Sequence, residues 1–310
     1  MSAGDTREGT YRGRFAPSPT GPLHFGSLVA AMASYADARH HAGAWLVRIE
    51  DVDAPRARAR ATDAILHALE RYGFEWDEPV WRQSSRNEAY EAALAHLAAH
   101  GLAYPCVCTR RALAAQPVSR IGERVYPGTC RNGAGEQTAG TARPAAIRVR
   151  VPPSPIAFTD RVCGAQRQRL DEDVGDFVVR RSDGLFAYQL AVVVDDAAQR
   201  ITDVVRGADL LASTPRQIFL QRALGLATPR YVHVPVAIDA RGAKLSKQTG
   251  ASPLPASPMP ALLAAWRFLG QPAPPDSPRT VREFWSWAIA GWDPARIPAT
   301  VNRLAPSAIV

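Results

Sequence analysis

Apolar positions along the first hundred residues follow two different spacings. Short, mostly apolar runs predict strands at 11–15 and 44–49. Apolar residues three or four positions apart predict helices at 26–41, 59–71 and 86–100. Strands that alternate with helices in this way are typical of an α/β domain with a parallel sheet.

The same alternation returns in the second half of the chain. The strand-like segments there are 177–180, 185–194, 201–205 and 231–238. The helical patterns there are 214–224, 261–269 and 281–290. The last two helices follow proline clusters, so we expect them to be short and separate from the alternating part.

Residues 104–169 differ in texture from both flanks. They hold cysteines, Gly and Pro turns, and short strand patterns at 146–151 and 156–159. We therefore predict a Rossmann-type nucleotide-binding domain in two parts, 12–103 and 170–240, with a small insertion between them. We also expect a flexible N-terminal tail at 1–11 and, at 241–310, a loop followed by C-terminal helices.

The chain is basic, and this narrows its partners only in part. It holds 37 lysines and arginines against 29 acidic residues, a formal net charge of +8. That excess fits a polyanion such as RNA, and it fits equally an arginine-rich composition without functional meaning. The sequence has no secretory signal and no apolar run of the ~18 residues that a membrane span needs. We expect a cytoplasmic protein without membrane contact.

The segment from Arg14 to Ser27 joins the first predicted strand to the first predicted helix. It reads Arg-Phe-Ala-Pro-Ser-Pro-Thr-Gly-Pro-Leu-His-Phe-Gly-Ser. Amide groups and the positive dipole end at a helix N-terminus bind phosphates, so His24, Gly26 and Ser27 would lie beside a nucleotide. Glycine at position 26 lets such a ligand approach the backbone closely. Taken alone, however, a Pro-x-Pro-x-Gly string is usually a plain turn.

A second motif, Lys-Leu-Ser-Lys-Gln, begins at Lys244 on a glycine-flanked loop. It places the ammonium groups of Lys244 and Lys247 three residues apart, with the Ser246 hydroxyl between them. A mobile cationic clamp of this kind suits the charge that develops on a leaving pyrophosphate. Taken alone, a Lys-x-x-Lys pair is usually a solvated surface pair.

In this order the two motifs resemble the paired signatures of class I aminoacyl-tRNA synthetases. The string from Arg14 to Gly21, with Val-Arg-Ile-Glu-Asp-Val-Asp ending at Asp53, narrows the resemblance to the glutamyl branch. Within that branch the sequence most resembles the glutamyl-queuosine tRNA(Asp) synthetases, a family of short paralogues of glutamyl-tRNA synthetase. The likeness covers roughly residues 12–270.

Three features separate the chain from a typical member of the class. Ser27 stands where the class has a second histidine, and Gln248 stands where it has a serine; both changes occur in the short paralogues. The chain ends at Val310, whereas the resemblance implies that a full glutamyl-tRNA synthetase would continue into a helical region. We therefore expect no anticodon-binding domain.

The resemblance implies two chemical steps. ATP, with Mg²⁺, activates L-glutamate to glutamyl-adenylate, and glutamate is then transferred to the queuosine base at the wobble position of tRNA(Asp). The implied catalytic residues are His24, Lys244, Ser246 and Lys247. The implied ATP-binding residues are His24, Gly26, Ser27 and Lys247.

A glutamate pocket needs oriented partners for a carboxylate and for an ammonium group. Arg14, at the end of the first predicted strand, can make a two-pronged contact with the carboxylate, and Glu50, after the second, can hold the ammonium. The resemblance assigns the same roles and adds Phe15, Ala16, Pro17, Ser18, Tyr188 and Arg206. Four nearby acids could bind a metal ion, but we favour helix capping and pocket orientation for them: Asp51, Asp53, Asp195 and Asp196.

The cysteines of the insertion indicate a metal site. Cys106, Cys108 and Cys130 are close enough in sequence to bind one Zn²⁺ if a fourth ligand completes the tetrahedron. The resemblance points to Tyr126, because Cys-x-Cys followed by Tyr-x-x-x-Cys recurs in the short paralogues. Cys163 is the more usual type of ligand but lies further along the chain. Four free thiols in a reducing cytoplasm are the alternative to one structural zinc ion.

The acceptor RNA and the competing functions remain open at this stage. Five arginines of the insertion either contact tRNA backbone or form a solvated surface: Arg110, Arg111, Arg120, Arg124 and Arg131. One rival function is a minimal glutamyl-tRNA synthetase that charges a tRNA 3′ end. The other is a non-catalytic tRNA-binding paralogue, which the presence of both motifs disfavours. We expect a monomer.

Overall fold

A computed structural model describes residues 10–53, 59–133, 144–245 and 251–306. Most of the expected N-terminal tail lies outside these residues. So do Ser246, Lys247 and Gln248 of the second motif.

The described residues hold twelve strands. They are Arg12–Phe15 (β1), Ala44–Ile49 (β2), Trp81–Arg82 (β3), Ala103–Cys106 (β4), Ala146–Val149 (β5), Ile156–Asp160 (β6), Gly164–Gln168 (β7), Phe177–Arg180 (β8), Asp203–Gly207 (β9), Arg230–Val234 (β10), Val236–Ile238 (β11) and Asn302–Leu304 (β12).

The same parts of the chain hold nine α-helices. They are Phe25–His40 (α1), Ala59–Arg71 (α2), Asn87–Ala99 (α3), Arg110–Ala114 (α4), Leu170–Asp173 (α5), Tyr188–Ala198 (α6), Thr214–Ala223 (α7), Pro258–Phe268 (α8) and Val281–Ala290 (α9).

Parallel strands form the centre of the molecule. β1 pairs with β2 and β2 with β3, while β10 pairs with both β9 and β6, all in parallel. The Thr202 amide donates to the Arg12 carbonyl oxygen at 3.0 Å, which sets the start of β1 beside the start of β9. The strand order is therefore β3-β2-β1-β9-β10-β6. Successive strands are added on one side from β1 to β3 and on the other side from β9 onward, so the strand order reverses between β1 and β9. Ligands of open α/β sheets bind at the carboxyl ends of the strands at such a reversal. The predicted α/β fold with a parallel sheet is confirmed.

Helix α1 is the hub of the hydrophobic core. Eleven of its sixteen residues are buried, because β1 and β2 cover one side and the C-terminal helices α8 and α9 cover another. Phe25 meets Phe268 of α8 edge to face at 5.6 Å, and Tyr35 meets Trp285 of α9 at 4.7 Å. Aromatic pairs of this geometry fix α1, and with it the loop that precedes it, against the rest of the molecule.

The prediction of a strand at 185–194 is wrong. Residues from Tyr188 onward form α6, and only Phe186 makes a strand-like bridge, to Arg180. The run from Leu190 to Val193 is buried on every side, so it shows no helical periodicity. A short, uniformly apolar run fits a buried strand or a buried helix equally well, and here tertiary packing selects the helix.

Residues 104–169 are tied to the sheets on both sides. β5 pairs antiparallel with β4 and with β8. The hairpin of β6 and β7 extends the central sheet through the pairing of Asp160 with Tyr231 of β10. Strands of this segment thus contribute to two sheets, the central one and the sheet of β4, β5 and β8. The domain limits given above stay a prediction.

The helices that the structure describes include none with the length and apolar character needed to span a bilayer.

Candidate active site

Two neighbouring cavities open where β1 and β9 end. The first encloses about 470 Å³ and is lined by His24, Gly26, Ser27 and Lys244, among others. The second encloses about 610 Å³, and Ala16, Glu50 and Tyr188 are among its lining residues. Both cavities are lined by Ser18, Thr20 and Asp209. The structure thus places three of the four predicted nucleotide residues, His24, Gly26 and Ser27, in one cavity and several predicted glutamate residues in the next; the fourth, Lys247, lies outside the described residues.

The first cavity lies at the N-terminus of α1. His24 occupies the N-cap position in extended conformation, so the first amides of the helix point toward the cavity. A Cβ atom at Gly26 would stand only 3.2 Å from the His24 ring and 3.6 Å from the Leu245 carbonyl oxygen. Only the contact with the His24 ring is tight, so glycine leaves room for that side chain and for a nucleotide, whereas the Leu245 carbonyl oxygen would be at ordinary contact distance.

The second motif reaches the same cavity through Lys244. Its ammonium group lies 2.5 Å from the carboxylate of Asp209, and both side chains are partly exposed. A backbone bridge between Ile238 and Lys244 returns the loop to the end of β11. One of the two predicted clamp lysines is therefore at the border of the two cavities, and the other lies outside the described residues.

Arg14 is held by a protein carboxylate. Its Nε and Nη2 atoms donate to the two oxygens of Asp196 on α6, at 3.0 and 3.2 Å. Arg48, fully buried, lies 2.7 Å from the same carboxylate. Burial acts to raise the pKa of Asp196, but the two guanidinium groups outweigh it and hold the pKa below its usual value. Asp196 therefore orients the pocket arginine, the role we favoured for it.

Glu50 lies at the wall of the second cavity, just after β2. Burial raises the pKa of its carboxyl group to about 7, although Arg48 and Arg14 act in the opposite direction. Arg48 is 3.9 Å away, too far for a direct hydrogen bond. An incoming ammonium group would therefore stabilise the ionised form of Glu50.

Tyr188 and Arg206 meet beside the second cavity. Arg206 Nη1 donates to the Tyr188 hydroxyl at 3.5 Å. Burial, and after it the charge of Glu50, raise the pKa of Tyr188, so the phenol stays protonated. A neutral hydroxyl and a guanidinium form a site for a carboxylate.

The remaining acids that were weighed as metal ligands are committed to protein donors. Asp195 accepts from Tyr90, Gln83 and Arg86. Asp51 accepts two hydrogen bonds from Ser84, and Asp53 pairs with Arg181. These contacts hold α3 and the loops around the second cavity in place.

Sequence reasoning missed four charged or polar residues of this region. Asp160, Asp209 and His233 belong to none of the motifs recognised above, and Arg48, although it lies in the Val-Arg-Ile-Glu-Asp-Val-Asp motif, was given no role. Arg48 and His233 sit in otherwise apolar strands, which is the one signal that could have identified them.

Three of the predicted zinc ligands form a cluster whose sulfur atoms all lie within 4.8 Å of one another: Cys106, Cys108 and Cys130. Cys108 and Cys130 Sγ are 3.7 Å apart, and a tetrahedral Zn²⁺ with bonds of about 2.3 Å places two sulfurs about 3.8 Å apart. The Tyr126 hydroxyl lies 3.4 Å from Cys106 Sγ and 3.9 Å from Cys108 Sγ. The spacing of the three thiols fits one tetrahedral ion, and the Tyr126 hydroxyl lies beside two of them. Cys163 lies elsewhere, against the His233 carbonyl oxygen.

Three of the five arginines that were considered for RNA contacts bind the protein itself. Arg120 pairs with Asp173 at 2.8 Å, Arg131 donates to the Val151 carbonyl oxygen, and Arg124 donates to that of Gln116. Arg110 and Arg111 lie on the exposed helix α4.

Comparisons with known proteins agree with this geometry. The family model for the catalytic domain of class I tRNA synthetases for glutamate and glutamine (E and Q) matches residues 10–254. A protein of Aromatoleum aromaticum named glutamyl-Q tRNA(Asp) synthetase is 54% identical over 301 residues, which cover 96% of this chain and 94% of that one. One of the same name from Burkholderia mallei is 56% identical over 291 residues, 91% of this chain and 96% of the other.

A solved structure gives the same answer at the level of the fold. The glutamate-tRNA synthetase of Elizabethkingia anophelis superposes with a TM-score of 0.78 at 24% identity, over 97% of this chain and 69% of that one. The family model and the two relatives each cover most of the chain. The chain therefore belongs to the class I aminoacyl-tRNA synthetases of the glutamate and glutamine type.

Proposed function

We propose that this enzyme activates L-glutamate with ATP and transfers it to the queuosine base at the wobble position of tRNA(Asp). The observation that carries the proposal is the junction of the two cavities at Ser18, Thr20 and Asp209. A phosphate-binding helix end thereby adjoins a pocket with the charges that glutamate needs. The names of the relatives supply the acceptor RNA.

The first step joins glutamate to the nucleotide. The α-carboxylate attacks the α-phosphorus of ATP, and pyrophosphate leaves; the step needs no nucleophile from the protein. The amides of α1 and His24 bind the phosphates, while Lys244, Ser246 and Lys247 stabilise the charge that builds up as pyrophosphate departs. Mg²⁺ bound with ATP would neutralise part of that charge.

Charge complementarity orients glutamate in the second cavity. Glu50 pairs with the α-ammonium group, while Arg14, Tyr188 and Arg206 receive the γ-carboxylate. The loop after β1 borders both cavities: Ala16 and Ser18 line the second, while Phe15, Pro17 and Ser18 line the first. This orientation directs the α-carboxylate toward the border that the two cavities share.

In the second step a hydroxyl of the cyclopentene-diol ring of queuosine attacks the carbonyl carbon of glutamyl-adenylate; an ester bond forms, AMP leaves, and the hydroxyl proton is released. The acceptor is an anticodon loop, and splayed loop bases are the usual targets of sequence-specific RNA recognition. Arg110 and Arg111 are the arginines of the insertion that we assign to the RNA backbone, since the other three have protein partners.

The zinc ion has a structural role: Cys106, Cys108, Tyr126 and Cys130 would hold it. We place the enzyme in the cytoplasm as a monomer.

Glutamate-dependent exchange of pyrophosphate into ATP tests the first step. We expect purified protein with Mg²⁺ to support exchange with L-glutamate and without added tRNA. Family resemblance implies that an ordinary glutamyl-tRNA synthetase would need its tRNA for this reaction. Exchange that requires tRNA(Glu) would favour that rival, and no exchange under either condition would favour a non-catalytic paralogue.

A further inference from the structure

Arg206 is anchored along one edge of its guanidinium group. It lies on β9, directly beside His233 of β10 in the parallel register. Its Nε atom donates to His233 Nε2 at 3.1 Å, and its Nη2 atom donates to the Thr214 hydroxyl at 2.8 Å. The opposite nitrogen, Nη1, faces the Tyr188 hydroxyl at the wall of the second cavity. The anchored edge determines where Nη1 points.

The contact with Arg206 dictates the protonation of His233. A guanidinium N–H can only donate, so Nε2 of the imidazole must carry a lone pair. The proton therefore sits on Nδ1, which donates to Asp160 at 2.6 Å. Both side chains of this pair are completely buried. Burial lowers the pKa of His233, which keeps the ring neutral although Asp160 acts in the opposite direction.

Asp160 is itself held in a single orientation. It is the last residue of β6, and its Oδ1 accepts from the amides of Val162 and Cys163 at 3.0 and 2.8 Å. Its Oδ2 then faces His233. Burial acts to raise the pKa of Asp160, but the hydrogen bonds from His233 and these amides lower it further, so the group is ionised. The hairpin of β6 and β7 thus orients the His233 ring on β10, and that ring contacts Arg206 on β9.

We propose that Asp160 and His233 are positioning residues that aim Arg206 at the carboxylate of the amino-acid substrate. They hold the one imidazole tautomer that can accept from Arg206 Nε. A protonated imidazole, or one with its proton on Nε2, would point an N–H group at the Arg206 Nε–H group and displace the guanidinium group. The inference rests on the proposed function of the second cavity as the glutamate pocket.

Two substitutions at His233 separate its two hydrogen bonds. In His233→Gln the longer side chain places its amide near the former Nε2 position, where its oxygen can accept from Arg206. In His233→Asn the amide lies near Nδ1 and reaches only Asp160. In Asp160→Asn the amide oxygen stays on the two backbone amides, so the NH₂ group faces Nδ1 and favours the reversed tautomer.

The readout is the Michaelis constant for each substrate in pyrophosphate exchange. We expect His233→Asn and Asp160→Asn to raise the glutamate KM about tenfold, equivalent to about 1.4 kcal/mol. His233→Gln should raise it less, and the KM for ATP should change less than twofold in all three. Tyr11→Phe is the matched control, because it removes another 2.6 Å bond to a buried carboxylate, that of Asp37, at the far end of β1.

A purely structural role predicts a different pattern. Equal effects of His233→Gln and His233→Asn on the glutamate KM, with parallel changes for ATP or the same changes in Tyr11→Phe, would overturn the proposal.

Nitrogen NMR of histidine-labelled protein tests the tautomer without any activity, so it is independent of the proposed function. His233, assigned by its loss in His233→Asn, should be neutral with the proton on Nδ1, and Asp160→Asn should move that proton. A protonated ring, or a proton on Nε2 in the unmodified protein, would contradict the inference. A protein with this tautomer but without glutamate-dependent exchange would contradict the proposed function alone.

Discussion

Single residues of the site combine a binding role with an electrostatic penalty. Glu50 is the clearest case, because it is a carboxylate in a buried position whose nearest cation, Arg48, is 3.9 Å away. Burial raises its pKa, so the surrounding protein by itself disfavours the charge that an ammonium group needs. Substrate binding would supply the missing partner.

The pKa of Glu50 predicts how glutamate binding depends on pH. Only the ionised carboxylate can pair with the α-ammonium group, so the glutamate KM should rise as the pH falls through about 7. Well below that value the rise should approach tenfold per pH unit. Exchange assays at saturating ATP measure it. Glu50→Gln should have a high KM without this dependence; a wild-type KM that stays constant between about pH 6 and 8 would contradict the assignment.

Glu50 also predicts a trade between binding and stability. Its folded-state pKa of about 7 lies above the ordinary value of 4.5, so the ionised group destabilises the folded protein above about pH 7. At high pH Glu50→Gln should therefore unfold at a higher denaturant concentration, and its free energy of unfolding should exceed that of the wild type by at most about 3.5 kcal/mol at about 1.4 kcal/mol per pKa unit. The difference should shrink as the pH falls toward the ordinary value. A variant less stable than wild type at high pH would show that the charge is already satisfied.

Lys244 should matter for catalysis and hardly at all for stability. Its pair with Asp209 is partly exposed, and such pairs contribute about 0–1 kcal/mol. Loss of one donor to transition-state charge typically lowers kcat by about 10²–10³. We expect Lys244→Ala to lower kcat for exchange by roughly this factor with an unchanged melting temperature. Arg241→Ala, an exposed cation on the same loop, is the control; equal kcat values in the two variants would remove Lys244 from the clamp.

At the scale of secondary structure, local patterns predicted most elements but not their partners. Helix α2 falls at the predicted residues, and α1 begins one residue before them. A uniformly apolar run hides the periodicity of α6, and no pattern predicted six short elements: β3, β4, β7, β12, α4 and α5. No local pattern could show that Asp196 of this helix binds Arg14, 182 residues away. Motif order located the site, whereas the network of charges behind it depends on contacts that only the folded chain creates.

The strands around the cysteine cluster should depend on metal. β4 carries Cys106, and the helix α4 that follows has no buried residue. The turns after α4 have only a small hydrophobic cluster of their own. We expect a zinc chelator to lower the melting temperature by at least about 2 °C, since 1 kcal/mol shifts it by roughly 2–4 °C in chains of 150–250 residues. Elemental analysis should give one zinc ion per chain. Cys130→Ser should lose the metal and Cys163→Ser should keep it; loss in both would restore Cys163 as a candidate ligand.

At the scale of the whole molecule, the C-terminal helices and the insertion are each attached to the central part of the fold. The C-terminal helices α8 and α9 pack on α1, whose N-terminus forms the first cavity. The hairpin of β6 and β7 adds to the central sheet and carries Asp160 to His233 of β10. The parallel sheet followed from the alternation of strands and helices. It did not follow from the sequence that β4 and β5 join β8 in one sheet while β6 and β7 join β10 in another, because pairing between distant segments leaves no local signal.

Transfer of labelled glutamate to tRNA shows directly whether queuosine of tRNA(Asp) accepts glutamate. Purified protein, ATP and Mg²⁺ would be incubated with bulk tRNA from cells that make queuosine and from cells that cannot. We expect label only in the first sample, confined to tRNA(Asp). Equal labelling of tRNA(Glu) from both sources would contradict this expectation and identify a shortened glutamyl-tRNA synthetase.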